Sequence, residues 1–165
     1  MESVANIGVK EADKSLTITQ EHRAPRNIVF KAFSEAEHLR RWWGPKGWDM
    51  PVCEVDFRPG GEWVYAIEND DGEIHWAKAV YQEIVPNEKI VFLANFIDGN
   101  RKVLDELPEQ KMTITFDEQD EKTFLTILVE YSSAKDKEQH VEMGFIQGFS
   151  QALGQFAGLV NQLTK

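Results

Sequence analysis

The stretch that decides the fold is Asp136-Lys-Glu-Gln-His-Val-Glu-Met-Gly-Phe-Ile-Gln-Gly-Phe-Ser-Gln-Ala-Leu-Gly-Gln-Phe-Ala-Gly-Leu-Val-Asn-Gln-Leu163. Its apolar residues Val141, Phe145, Phe149, Ala152, Phe156, Leu159, Val160 and Leu163 recur every three to four positions, which gathers them on one face of a helix. One continuous helix over 136–163 would be roughly 42 Å long at 1.5 Å per residue, enough to cross a small domain. Gly144, Gly148, Gly154 and Gly158 lie inside it, each costing about 1 kcal/mol relative to alanine in a helix interior. Gly144, Gly148 and Ala152 form a row of small residues one turn apart beside Phe145 and Phe149. Such a row predicts close backbone approach or empty space beside the helix, against the plainer reading of a helix that tolerates its glycines.

Upstream, the period changes. Residues 1–12 are polar and aperiodic and read as a flexible arm before a single domain over 13–165. Leu16 and Ile18 alternate with Thr17 and Thr19 in a first strand that ends near His22. Pro25 opens a short helix with Ile28, Val29, Phe30 and Phe33 on its apolar face. Ser34 followed by Glu37 is a capping-box pattern restarting a second short helix through Leu39, Trp42 and Trp43, which Gly44-Pro45 stops. Period-two strands then follow one another at 51–57, 62–68, 73–85, 89–97, 112–116 and 123–131. Within 73–85, Ile74, Trp76 and Val80 oppose His75, Ala77, Ala79 and Tyr81, and pattern alone does not choose the inward set. Residues 98–110 make the one long loop, and its Val103, Leu104 and Leu107 either fold over an opening as a lid or pin the loop permanently.

Strands joined by tight turns pair antiparallel, and the apolar face of such a sheet must be covered. The expected class is therefore α+β, a curved antiparallel sheet of about six to seven strands wrapped on a long C-terminal helix, with two short helices after the first strand. A cavity remains wherever sheet and helix side chains do not meet.

Composition limits the function. A chain of 165 residues suits one domain, and its formal charge of −10 argues against nucleic acid as a partner. No apolar run approaches the roughly 20 residues of a membrane span, and the first ten residues do not read as a signal peptide, so a cytoplasmic location is expected. The single cysteine, Cys53, excludes an intrachain disulfide and reads as a small buried hydrophobe beside Val55 and Phe57. His22, His38, His75 and His140 show no metal-ligand spacing, and His38 and His140 read as solvated or capping residues. Neither a phosphate-binding glycine loop nor a nucleophile elbow is present, so no catalytic residue, metal or cofactor is called for. Acidic residues cluster at the hairpins, at Glu68, Asp70, Asp71, Glu73, Asp117, Glu118, Asp120 and Glu121, as a solvated face or a surface for a basic partner.

Four segments together resemble a known family. They are Glu37-His-Leu-Arg-Arg-Trp-Trp-Gly-Pro45, Phe57-Arg-Pro-Gly-Gly-Glu-Trp63, Ile84-Val-Pro-Asn-Glu-Lys-Ile90, and Pro25 followed by Val29, Phe30 and Phe33. The family is the one named for the activator of the heat-shock protein 90 ATPase, within the START-like (SRPBCC) superfamily. The resemblance spans about 13–163 and implies the helix-grip fold, with Gly148-Phe149 standing where the family commonly has Gly-Trp. It also implies three kinds of activity: binding of a small hydrophobic molecule as carrier or sensor, a co-chaperone-like interaction with a chaperone or other protein, or cyclase- or hydrolase-like catalysis. Glu62 and Glu130 are the acids available to the last, and both alternate away from the inward set. The expected ligand-binding residues, from faces that should converge beside the glycine row, are Trp43, Trp63, Tyr65, Trp76, Met112, Ile114, Phe145, Gly148 and Phe149. Trp42 and Trp43 point about 100° apart on a helix, so only one of them can face a cavity.

Overall fold

The period-two stretches pair as their short connections require. The computed structural model describes residues 7–164. In chain order the elements are β1 (Gly8–Glu11), β2 (Ser15–His22), α1 (Arg26–Ser34), α2 (Ala36–Trp42), β3 (Trp48–Val55), β4 (Glu62–Asn69), β5 (Ile74–Val85), β6 (Lys89–Ile97), β7 (Gln110–Gln119), β8 (Lys122–Glu130), α3 (Ala134–Glu142) and α4 (Phe145–Thr164). The eight strands form one antiparallel sheet in the order β1-β2-β8-β7-β6-β5-β4-β3. Pro51 lies in β3, an edge strand, where a missing N–H breaks no central ladder.

Three expectations change. The sheet has one strand more than expected, because Gly8–Glu11, placed by its polarity in the arm, pairs with β2 in the register Gly8↔Thr19 to Glu11↔Leu16. Polar residues suffice at an edge, where ladder hydrogen bonds rather than burial hold the strand. The long helix is two helices, because Gly144 sits at φ +91°, a left-handed conformation that glycine adopts without steric cost. Its N–H bonds back to the Val141 carbonyl at 3.0 Å, ending α3, and the Gly148 N–H to the Gly144 carbonyl at 3.0 Å opens α4. The N-cap of α2 is Glu35, with no side-chain capping bond, while Ser34 stays in α1 and donates to the Lys31 carbonyl at 3.4 Å.

The twenty residues of α4 lie across the concave face and bury Phe149, Ala152, Leu153, Phe156, Leu159 and Val160. Phe156 is the centre of the core under α1 and α2, with ring centroids 4.4 Å from Trp42 and 5.4 Å from Phe33. Trp42 is the member of the tryptophan pair that faces this core, and its indole N–H donates to the Ala32 carbonyl at 2.9 Å. Burying its N–H with a partner avoids the cost of an unsatisfied donor.

The Arg58-Pro-Gly-Gly61 turn is held against β5. Gly60 N–H donates to the Tyr81 carbonyl at 2.8 Å, and Tyr81 N–H to the Gly61 carbonyl at 3.0 Å. A Cβ on Gly61 would stand 2.0 Å from the Asp56 carbonyl oxygen, so only glycine fits. In β5 the inward set is Ala77, Ala79 and Tyr81, all buried. The loop after β6 is anchored: Asp98 Oδ1 accepts from the N–H groups of Asn100 and Lys102, Leu104 N–H donates to the Phe96 carbonyl, and Arg101 pairs with Glu54 of β3 through both guanidinium nitrogens.

Candidate functional site

Between the concave faces of β4 to β7, the α2–β3 connection and the α3–α4 break lies a cavity of about 220 Å³. It exists because the inward residues of β5 here, and Ala94 between Phe92 and Phe96 of β6, are short. Ala77, Ala79 and Ala94 present one carbon each, and Gly148 presents none from the helix side. A side chain at Gly148 would meet Pro45 at 3.5 Å, so the small-residue row marks both empty space and a close approach of α4 to the Gly44-Pro45 corner.

Two aromatic walls face each other. Trp43, Trp63 and Tyr65 make the first, with Trp43 and Trp63 edge to face at 4.7 Å and Trp63 and Tyr65 tilted at 4.8 Å. On the second, Phe149 stacks on Phe145 at 5.3 Å and Phe145 on His140 at 4.1 Å. Such offset and edge-on contacts are the arrangements aromatic quadrupoles favour. Phe92 and Met112 form the floor between them.

Of the nine residues expected at a ligand site, seven line this cavity: Trp43, Trp63, Tyr65, Met112, Phe145, Gly148 and Phe149. Trp76 does not, because β5 turns its other face inward and Trp76 lies on the convex side, beside the loop at Gly99. Ile114 is inward but wholly buried, next along β7 from Met112 toward Phe116, which packs on Phe30 and Phe33. It belongs to the core. Unanticipated lining residues are the alanines, Phe92, Phe96, Gln110 and above all His140. Nothing in the polar surroundings of His140 signals burial; its position four residues before Gly144 would have done so only if the break had been foreseen.

The buried polar groups cluster at one end. His140 is 4% exposed, and its Nδ1 lies 2.5 Å from the Tyr131 hydroxyl. Burial lowers the His140 pKa to about 4, so the ring is neutral at pH 7, and burial also pushes the Tyr131 hydroxyl up. Gln110, 5% exposed, donates its amide to the Pro108 carbonyl. At the other wall burial pushes Tyr65 up to about 12, with the Trp43 indole beside its hydroxyl acting the opposite way. The Trp63 indole N–H is buried without a hydrogen-bond partner among the described residues, and the nearby Cys53 thiol, raised by burial, points to the Ala36 carbonyl at 3.7 Å. Cys53 is buried and free, as its alternation predicts.

Other chemistry is sparse. Glu62 and Glu130 are both exposed, away from the cavity. His38, expected at the surface, is 5% exposed, with Nε2 at 3.4 Å from Glu35 and 3.9 Å from Glu37. These three side chains are the group among the described residues whose ligand atoms converge. Glu35 and Glu37 sit at the N-terminal, positive end of α2, which favours their carboxylates but not a cation. No helix of the described residues is long and apolar enough to cross a membrane.

An antiparallel sheet gripping a C-terminal helix, with an apolar cavity between them, defines a START-like helix-grip protein. The sequence model of the family described as Activator of Hsp90 ATPase homolog 1-like protein matches residues 23–161, and the chain belongs to that family. Among solved structures, a Mycobacterium smegmatis protein is 30% identical, with a TM-score of 0.85 over 93% of this chain and 96% of that one. An Arthrobacter aurescens protein is 24% identical with a TM-score of 0.88, covering 94% and 91%. The AHSA1 protein of Silicibacter pomeroyi shares the fold at 17% identity and a TM-score of 0.73, covering 90% and 99%. No curated protein matches the chain.

Proposed function

We propose that the protein binds a small hydrophobic molecule, aromatic rather than lipid-like, between sheet and α4, as a carrier or sensor. The observation that carries this reading is the cavity itself, about 220 Å³ and walled by aromatic rings, with alanines and Gly148 where larger side chains would close it. Size favours the aromatic class over the lipid-like one. An apolar cavity of roughly 150 Å³ holds benzene, so this one suits a single ring with a short substituent. It lies below the roughly 300 Å³ at which pockets for larger ligands begin, too small for a sterol or a whole acyl chain.

The test is titration with toluene and ethylbenzene, followed by amide NMR shifts and by the fluorescence of Trp43 and Trp63. Shifts should concentrate at Phe92, Met112, Phe145 and Phe149. Gly148→Leu, whose side chain would grow past Pro45 into the space, should weaken binding at least tenfold while thermal unfolding stays cooperative. Shifts confined to the outer surface would refute the reading.

A second reading, a co-chaperone-like interaction module, is favoured by the family description and by the charge of −10, which would steer toward a basic partner. Pulldown at low and physiological salt tests it, and failure to recover any stoichiometric partner, chaperone included, removes it.

A further inference from the structure

The polar end of the cavity has a cost that packing alone does not repay. Gln110 and Tyr131 are neighbours across the sheet, each one residue beyond the pair Lys111↔Glu130, and His140 of α3 covers them. All three are over nine-tenths buried; Gln110 and His140 line the cavity beside Asn95, in a wall that is otherwise aromatic or aliphatic, and Tyr131 meets His140 from outside that lining. A phenylalanine at 140 would stack on Phe145 and meet Phe96 edge-on just as the imidazole does, at 4.1 and 5.8 Å, without any desolvated nitrogen.

What the imidazole adds is a directed hydrogen bond. Of the two neutral groups that meet at 2.5 Å, the phenol is the stronger acid, so Tyr131 donates its O–H to His140 Nδ1. The proton of the ring then resides on Nε2, for which the described residues offer no hydrogen-bond partner. The described lining contains no Lys, Arg, Asp or Glu. An anionic ligand would therefore lose its hydration without gaining a counter-charge.

We propose that His140 is a specificity-determining residue, donating from Nε2 to an oxygen acceptor on a small, uncharged aromatic ligand, so that the cavity selects a ring bearing a carbonyl over the plain hydrocarbon. The inference rests on the ligand-binding reading above. Tyr131 is a positioning residue, since its hydroxyl acts only by fixing which nitrogen carries the proton.

Three probes of one size decide it at pH 7.5: ethylbenzene, acetophenone and benzoate, titrated calorimetrically. Acetophenone should bind about tenfold more tightly than ethylbenzene, the effect of one hydrogen bond, and benzoate should be the weakest. His140→Phe should erase the acetophenone advantage, read as the ratio of acetophenone to ethylbenzene affinity within the same variant. Imidazole ¹⁵N spectra should show the Nε2–H tautomer, with the Nε2 resonance moved by acetophenone and not by ethylbenzene. Should His140→Phe fail to fold, Tyr131→Phe replaces it and should shrink the same preference by freeing the tautomer. Equal affinity for the two neutral probes, a preference that survives substitution, or benzoate binding as tightly as acetophenone overturns the proposal and leaves the ligand-binding reading standing. Binding of neither neutral probe removes that reading and this inference together.

Discussion

At single residues, backbone conformation and burial make the sharpest claims. Gly144 holds φ +91°, and Gly144→Ala should cost about 1–2 kcal/mol in urea unfolding, the penalty of a left-handed L-residue. Gly61→Ala should cost more, since its Cβ would collide with the Asp56 carbonyl at 2.0 Å and push the turn off Tyr81. Both glycines stand out in the sequence, yet only Gly61 is legible there as a turn. Gly144 sits in an unbroken helical period, and its sign of φ is not written in hydrophobicity. Histidine burial is equally invisible from neighbours. His22 and His140 are both lowered to about 4 from 6.5 by burial. A depressed histidine contributes stability that is complete above pH 6.5 and is lost as pH falls through about 4, because the unfolded chain binds the proton first. Chemical unfolding at pH 7 and pH 4.5 should therefore show the His22→Gln/His140→Gln double variant losing less stability over that interval than the natural sequence, by about 2–3 kcal/mol per histidine.

The elements give a different account of access to the cavity. The 98–110 loop, read as lid or fixed, has its backbone tied at Asp98 and Leu104 and its Arg101 tied to β3, and Val103, Leu104 and Leu107 are not in the cavity lining. Amide exchange should find Leu104 protected to the level of the strands, with Asp105 and Glu106 fast, and acetophenone should leave all three unchanged. Protection on ligand addition should appear instead at the α3–α4 break, where Met143 is 49% exposed and both Met143 and Gly144 line the cavity. A break at which Met143 and a left-handed Gly144 separate α3 from α4 is the local weak point of the C-terminal helices. If ligand slows the loop and not the break, this account of access is wrong. Apolar residues on a polar loop showed that it must touch something; that it turns toward β3 is seen in the Arg101–Glu54 pair, 47 positions apart in the chain, and in the Leu104–Phe96 backbone bond.

For the whole molecule, the excess of acidic groups is the dominant electrostatic fact. A net charge of −10 opposes compaction, and 150 mM NaCl screens it over roughly 8 Å, so the melting temperature should rise by about 2–4 °C between 10 and 150 mM salt, followed by calorimetry. A fall would mean that the exposed ion pairs outweigh the repulsion. The sequence by itself determined the α+β class, the antiparallel meander and the helical cover, because periods of two and three to four are local consequences of how side chains leave the backbone. It also determined most of the cavity wall, since Trp63, Tyr65, Met112, Phe145 and Phe149 follow from parity along elements that had to face one another. Only the tertiary structure decided which face of β5 turns inward, which put alanines in the cavity and Trp76 outside it. It alone brought His140, Tyr131 and Gln110 to one end, because a contact between residues on a helix, a strand end and another strand is set by packing that no local pattern encodes.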